Sequence, residues 1–118
     1  MRPTLLLLSF LFLVLNIVSG QDNSAHHWYF GLNAGVDFST GVPTAVTNGQ
    51  LYTDEGVATV DDSDGNLQFY TDGQEIYNAN HQLMPNGTGL LGHSSATQSS
   101  IIIPFPESDS LFYVFTVD

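Results

Sequence analysis

The chain has no cysteine, and its only Lys or Arg is Arg2. Without thiols there are no disulfide staples, no cysteine-borne lipid anchor and no thiolate zinc site, so the fold must be held by packing and hydrogen bonds. The missing cations exclude more. From Gln21 onward the chain carries all twelve Asp and Glu residues and no Lys or Arg, a formal charge of −12. Such a surface cannot neutralise phosphates, so nucleic acid and anionic lipid headgroups are excluded as electrostatic partners. Lys and Arg salt bridges are excluded for the same reason. The balance favours solubility in a secreted setting and leaves Ca²⁺ from the medium as the one cofactor to weigh. A sustained apolar stripe at helical period is also absent, and Gly or Pro interrupts about every ten residues, which reads as all-β.

One long apolar run does exist. It spans Leu5 to Val18, fourteen residues, follows Met1-Arg2 and leads to Val18-Ser-Gly20. A helix crossing the hydrocarbon needs ~20 residues, so the run is too short for an anchor and reads as a secretory signal peptide over 1–20, cleaved before Gln21. The mature chain is then expected to be secreted or at the outer cell surface, with no stable membrane insertion. Residues 21–27, QDNSAHH, read as a flexible lead-in, and 28–118 as one β domain.

The domain is organised around Val57 to Asn78, where two Asp-Gly turns punctuate three strand-forming runs. Val57–Asp61, Leu67–Thr71 and Glu75–Asn78 predict an antiparallel meander, with Leu67, Phe69 and Thr71 on one face. Before it, Trp28–Gly31, Val36–Ser39 and Thr44–Val46 have the content of short strands. After it, Asn80–Thr97 reads as a long connection anchored by Leu90 and Leu91. Ser99–Phe105 and Leu111–Val117 follow as strands. The second, LFYVFTV, is apolar on both faces and is expected to be sandwiched between neighbours.

A repeat is visible within this pattern. Ser63-Asp64 matches Ser108-Asp109 at an offset of 45, and Leu67 and Phe69 match Leu111 and Tyr113 at an offset of 44. Spacings of ~40 to 50 residues are those of propeller blades, so the chain reads as the first one to two blades of an incomplete β-propeller. On that reading the first blade covers about 28–80, a second begins at about 98–118, and the chain is the N-terminal fragment of a longer protein. A small self-contained β-sandwich is the alternative.

The run Trp28-Tyr-Phe-Gly-Leu-Asn-Ala-Gly-Val-Asp-Phe38 opens a series of family-like motifs. The series continues through Leu51-Tyr-Thr-Asp-Glu-Gly56, Asp64-Gly-Asn-Leu67, Phe69-Tyr-Thr-Asp-Gly73 and Asn80-His81. It closes with Met84-Pro-Asn-Gly-Thr-Gly-Leu-Leu-Gly92, Ser94 to Gln98 and Phe115-Thr-Val-Asp118. In these motifs the chain resembles the N-terminal β-propeller region of large secreted surface proteins of the Bacteroidota. Those proteins often end in a gliding-motility-associated domain and leave by the type IX secretion system. The resemblance implies an extracellular propeller in a multi-domain surface protein, with adhesion, scaffolding or protein interaction as its work and no enzyme activity assignable to a residue. The implied partner is an extracellular protein or glycan, alongside the downstream domains of the same chain. Two positions depart from the pattern: Val57 replaces an expected Cys, and Tyr77 an expected Trp.

No catalytic or cofactor-binding residue is assigned. Asp61, Asp62 and Asp64 beside Gly65 are weak Ca²⁺ candidates. Placing Gly65 sixth in an EF-hand loop puts Val60 first and Thr71 twelfth, so that motif fails, and a solvated hairpin turn is the simpler reading. A sialidase Asp-box spacing is not met either. His26, His27, His81 and His93 form no zinc pattern. Ser94, Ser95, Ser99 and Ser100 near His93 lack a nucleophile elbow. Glu55 and Glu75 are the pair a glycan-active propeller hydrolase would need, and that hydrolase is the enzymatic alternative. Asn86-Gly-Thr88 is an N-glycosylation sequon, and Asp109-Ser-Leu111 resembles the O-glycosylation motif of the same bacterial group, at Ser110.

Overall fold

The computed structural model describes residues 23–118, so the signal-peptide reading of 1–20 lies outside the described residues. The described chain is all-β and antiparallel, with nine strands and no helix. The first sheet orders β1 (His27–Tyr29), β2 (Gly35–Asp37) and β3 (Thr44–Val46) in sequence. The second is a four-stranded meander of β4 (Ala58–Asp61), β5 (Leu67–Thr71), β6 (Glu75–Asn78) and β7 (Leu83–Thr88). The third is the hairpin of β8 (Ser100–Pro104) and β9 (Phe112–Thr116). Residues 28–80 therefore contribute to two sheets, and no described sheet closes on itself. Among the described residues no helix is long and apolar enough to cross a membrane.

The Asp-Gly turns behave as their chemistry demands. Gly65 and Gly73 adopt φ of 86° and 88°, a region that Cβ resists. Asp62 folds its carboxylate back over its own turn, where Oδ1 accepts the amides of Asp64 at 3.0 Å and Asn66 at 2.8 Å. Asp72 does the same for Gln74 and Glu75, both at 2.9 Å.

A bulge changes the expected face of Leu67. Val60 pairs with Phe69 while the next residue, Asp61, pairs with Leu67, so Gln68 is left over. Consecutive residues point to opposite faces of a sheet, hence Leu67 and Phe69 do too. Leu67 packs on the core formed by Tyr29, Leu51 and Tyr70, with Val46, Val57 and Tyr77 around it. Phe69 turns the other way and meets Phe112 edge-on at 5.3 Å.

Three further expectations are corrected. The 80–97 connection contains β7, hidden because Pro85-Asn-Gly interrupts it: Ile76 on β6 faces residues 84–87 between the pairs Glu75↔Thr88 and Tyr77↔Leu83. Leu91 is 80% exposed and anchors nothing, whereas Leu90 is half-buried. The lead-in ends early, since His27 already belongs to β1.

The second sheet is covered on both faces. Tyr29 of β1 stacks on Tyr70 of β5 at 4.4 Å and 19°, and Tyr70 stacks on its cross-strand neighbour Tyr77 at 5.7 Å and 18°. Contacts of this kind are worth about 0.5–1.5 kcal/mol each beyond their burial. The opposite face carries Phe69 and meets β9. The leading strands of the three sheets lie side by side, with β4 between β1 and β8. Sheets one, two and three are thus stacked in chain order.

Candidate functional site

Two places carry more chemistry than folding requires: the seam between the first two sheets, and the outer face of the third.

The seam is polar at its rim. Asp61, 4% exposed, accepts the His27 amide at 2.8 Å through Oδ2 and lies 3.0 Å from His27 Nδ1 through Oδ1. Asp37 sits 3.8 Å from the far side of the same ring, so His27 becomes an ion-pair partner to two carboxylates whenever it is protonated. The Ser39 hydroxyl and amide hold the Asp37 carboxyl below its ordinary value. The Tyr29 amide donates to Thr59 Oγ1 at 3.1 Å, which adds a second clamp between β1 and β4.

Beside this clamp, His81 sits with φ of 59° between two partners, Asn48 Nδ2 at 2.8 Å from Nε2 and the Tyr70 hydroxyl at 3.0 Å from Nδ1. Asn48 Oδ1 also accepts the Tyr29 hydroxyl at 3.2 Å. Burial, aided by the nearby His27, lowers the His81 pKa and favours the neutral ring. Burial likewise pushes the Tyr70 phenol up to about 12. For Tyr77 the first cause is its hydrogen bond to Glu75, 2.5 Å long, which also raises it to about 12. His27, Asp37, Asn48, Asn66 and His81 line an open groove of about 490 Å³ above this network. The groove offers hydrogen-bond donors and acceptors but no activated nucleophile.

The sequence candidates are dispersed by the fold. Asp61 turns inward to His27, Asp62 is engaged by Asp64, Asn66 and Gln68 of its own hairpin, and Asp64 is exposed. The solvated-turn reading therefore fails for Asp61, a buried clamp between sheets. Hydrogen bonds from the Asn66 and Asp64 amides lower the Asp62 carboxyl. Among the described residues no three His, Asp or Glu side chains are grouped to hold a metal ion. Glu55 accepts the Thr97 hydroxyl at 3.0 Å, and Glu75 is held by Tyr77, so each carboxylate has its own local partner. His93 Nδ1 faces the Ser95 amide at 3.2 Å and hydroxyl at 3.1 Å in an exposed local turn. Ser99 is fully buried and donates to the Gly56 carbonyl, and Ser100 is 1% exposed with an Oγ that has no partner among the described residues. Asn86, expected in a loop, lies exposed in β7 with φ of 59°. Ser110 is exposed beside Ser108, whose Oγ faces the Ser110 and Leu111 amides.

The outer face of the third sheet is apolar. Ile101 pairs with Phe115 and Ile103 with Tyr113, and partners opposite one another share a face. All four are exposed by 45–52%, and Phe105, Leu111 and Val117 extend the patch. The face toward the second sheet, with Phe112, Val114 and Thr116, is half-buried. The expectation that LFYVFTV is sandwiched is therefore met on one face only. A lone hairpin has one sheet beside it, and the described residues supply nothing for its second side. Comparison of the chain with known protein families, with characterised proteins and with solved structures finds no match.

Proposed function

We propose that this chain is a segment of a secreted or cell-surface β-propeller, within a longer multi-domain protein, that serves adhesion, scaffolding or protein interaction and is not itself an enzyme. The observation that carries the reading is the stack: three antiparallel sheets in chain order, leading strands adjacent, with the middle sheet a four-stranded meander. That is how blades follow one another around a propeller. The apolar run ending at Val18 supports export, and the motif series from Trp28 to Asp118 supports kinship with the Bacteroidota surface proteins. An acidic surface without Lys or Arg after Arg2 points to an extracellular protein or glycan as partner and away from nucleic acid.

Electron microscopy of the exported polypeptide tests the architecture. A ring of stacked sheets containing residues 28–118 is expected, and an open or sandwich-like domain would overturn it. A polysaccharide panel tests the non-enzymatic assignment. Turnover that disappears in Glu55→Gln or Glu75→Gln would replace it with a glycan hydrolase.

A further inference from the structure

We propose that Asn48 and His81 form an acid-operated switch at the seam, in which a proton on His81 Nε2 turns the Asn48 carboxamide over and reverses the Tyr29 hydroxyl. The two residues tie the chain leaving β3 to the turn between β6 and β7, with Asn48 Nδ2 and His81 Nε2 at 2.8 Å. Donor and acceptor roles along this row follow one from another. Asn48 Oδ1 accepts the Tyr29 hydroxyl at 3.2 Å, so the Asn48 atom left to face the ring is Nδ2. An amide nitrogen only donates. His81 Nε2 is therefore bare, and the neutral imidazole carries its hydrogen on Nδ1, aimed at the Tyr70 oxygen 3.0 Å away. Three hydrogen bonds thus run in one direction, from Tyr29 to Asn48 to His81 to Tyr70.

A second proton on the ring breaks that order at one place. It arrives at Nε2, the one bare ring nitrogen, and sets an N–H against the N–H of Asn48. Turning the amide over restores both contacts without moving the backbone: Oδ1 accepts from the ring, and Nδ2 donates to the Tyr29 oxygen. A hydroxyl accepts as readily as it donates, so the Tyr29 hydrogen is released toward the groove that Tyr29, Asn48 and His81 line. The groove gains a donor and a positive charge together.

The surroundings of His81 set where this happens. Tyr29 of β1 meets its ring at 5.5 Å and Tyr70 of β5 at 5.8 Å. His27 of β1 disfavours a second cation nearby, and the carboxylates of Asp37 on β2 and Asp61 on β4 are engaged with His27. Among the described residues no carboxylate lies within ion-pair distance of His81. Burial, the larger cause, and His27 hold the ring below the ordinary value of 6.5, which places the reversal in acid.

Nuclear magnetic resonance of the exported polypeptide, with ¹⁵N in its histidine and asparagine side chains, tests this. The signals are identified by their loss in His81→Phe and Asn48→Ala. Above pH 6.5 the His81 ring is expected with Nδ1 protonated and Nε2 bare. As His81 titrates, the Overhauser contacts of the Asn48 NH₂ hydrogens are expected to pass from the His81 ring to the Tyr29 ring. Tyr29→Phe removes the hydroxyl that holds Oδ1, so the single tautomer should give way to a mixture. An Nε2-protonated ring in the unaltered protein above pH 6.5 would overturn the inference, as would Asn48 contacts that stay with His81 through its titration. A pure Nδ1 tautomer in a folded Tyr29→Phe variant would also overturn it.

Discussion

Replacing Asp61 removes the polar clamp between the first two sheets. Its carboxylate is 4% exposed and is engaged at 2.8 Å by the His27 amide and at 3.0 Å by the His27 ring. Hydrogen bonds to a charged group are worth about 1.5–3 kcal/mol, and a buried donor left unpaired costs about 1–3 kcal/mol, so Asp61→Ala is expected to cost about 2–4 kcal/mol. A domain of this size shifts by roughly 4–8 °C per kcal/mol, which places the fall in Tm at roughly 8–32 °C. Asp61→Asn keeps an acceptor for the amide and should lose less than half as much. Thermal unfolding followed by circular dichroism, with and without a Ca²⁺ chelator, reads both. An Asp61→Ala Tm within about 2 °C of the parent refutes the clamp, since that corresponds to less than ~0.5 kcal/mol. A loss seen only when Ca²⁺ is present would return Asp61 to the role of cation ligand.

The neutral phenols of Tyr70 and Tyr77 are favoured in the fold, both raised to about 12 from 10.0. Their contribution is fully present below pH 10 and is lost between 10 and 12, so denaturation midpoints should fall across that window, and Tyr70→Phe with Tyr77→Phe should blunt the fall. His81 has the opposite dependence. Its folded value lies below 6.5, so its contribution is intact above pH 6.5 and fades on acidification through the folded value; midpoints compared at pH 7.5 and 5 should show a drop that shrinks in His81→Asn. Ser100→Ala removes a hydroxyl that is buried without a partner among the described residues, so stability should be unchanged or raised by up to about 1 kcal/mol in urea titrations. A loss larger than that would mean the hydroxyl has a partner after all.

Much of this architecture was legible in the chain because turn chemistry is local. Asp62 to Asn66 and Asp72-Gly73 announce their hairpins, and the flanking runs pair across them. The bulge at Gln68 was not legible, because a one-residue change of register leaves no mark in composition, and it moved Leu67 to the other face. β7 was obscured by Pro85 and Gly87, residues that signal loops yet here sit in a bulged strand. The seam could not be read at all. Asp61 and His27 are 34 residues apart, and Asn48 and His81 are 33 apart, so these contacts arise only once the sheets stack. Asp61 looked like its neighbours Asp62 and Asp64 in sequence; alternation along β4 turned it inward.

The order of the stack carries the proposed function, and nuclear Overhauser contacts between aromatic rings test it most directly. The middle sheet lies between its neighbours if Tyr29 contacts Tyr70, whose ring centroids are 4.4 Å apart, and Phe69 contacts Phe112, at 5.3 Å, in the same sample. Both ring-to-ring contacts are predicted. Strand pairing intact within β4–β7 but either contact missing would contradict the stack.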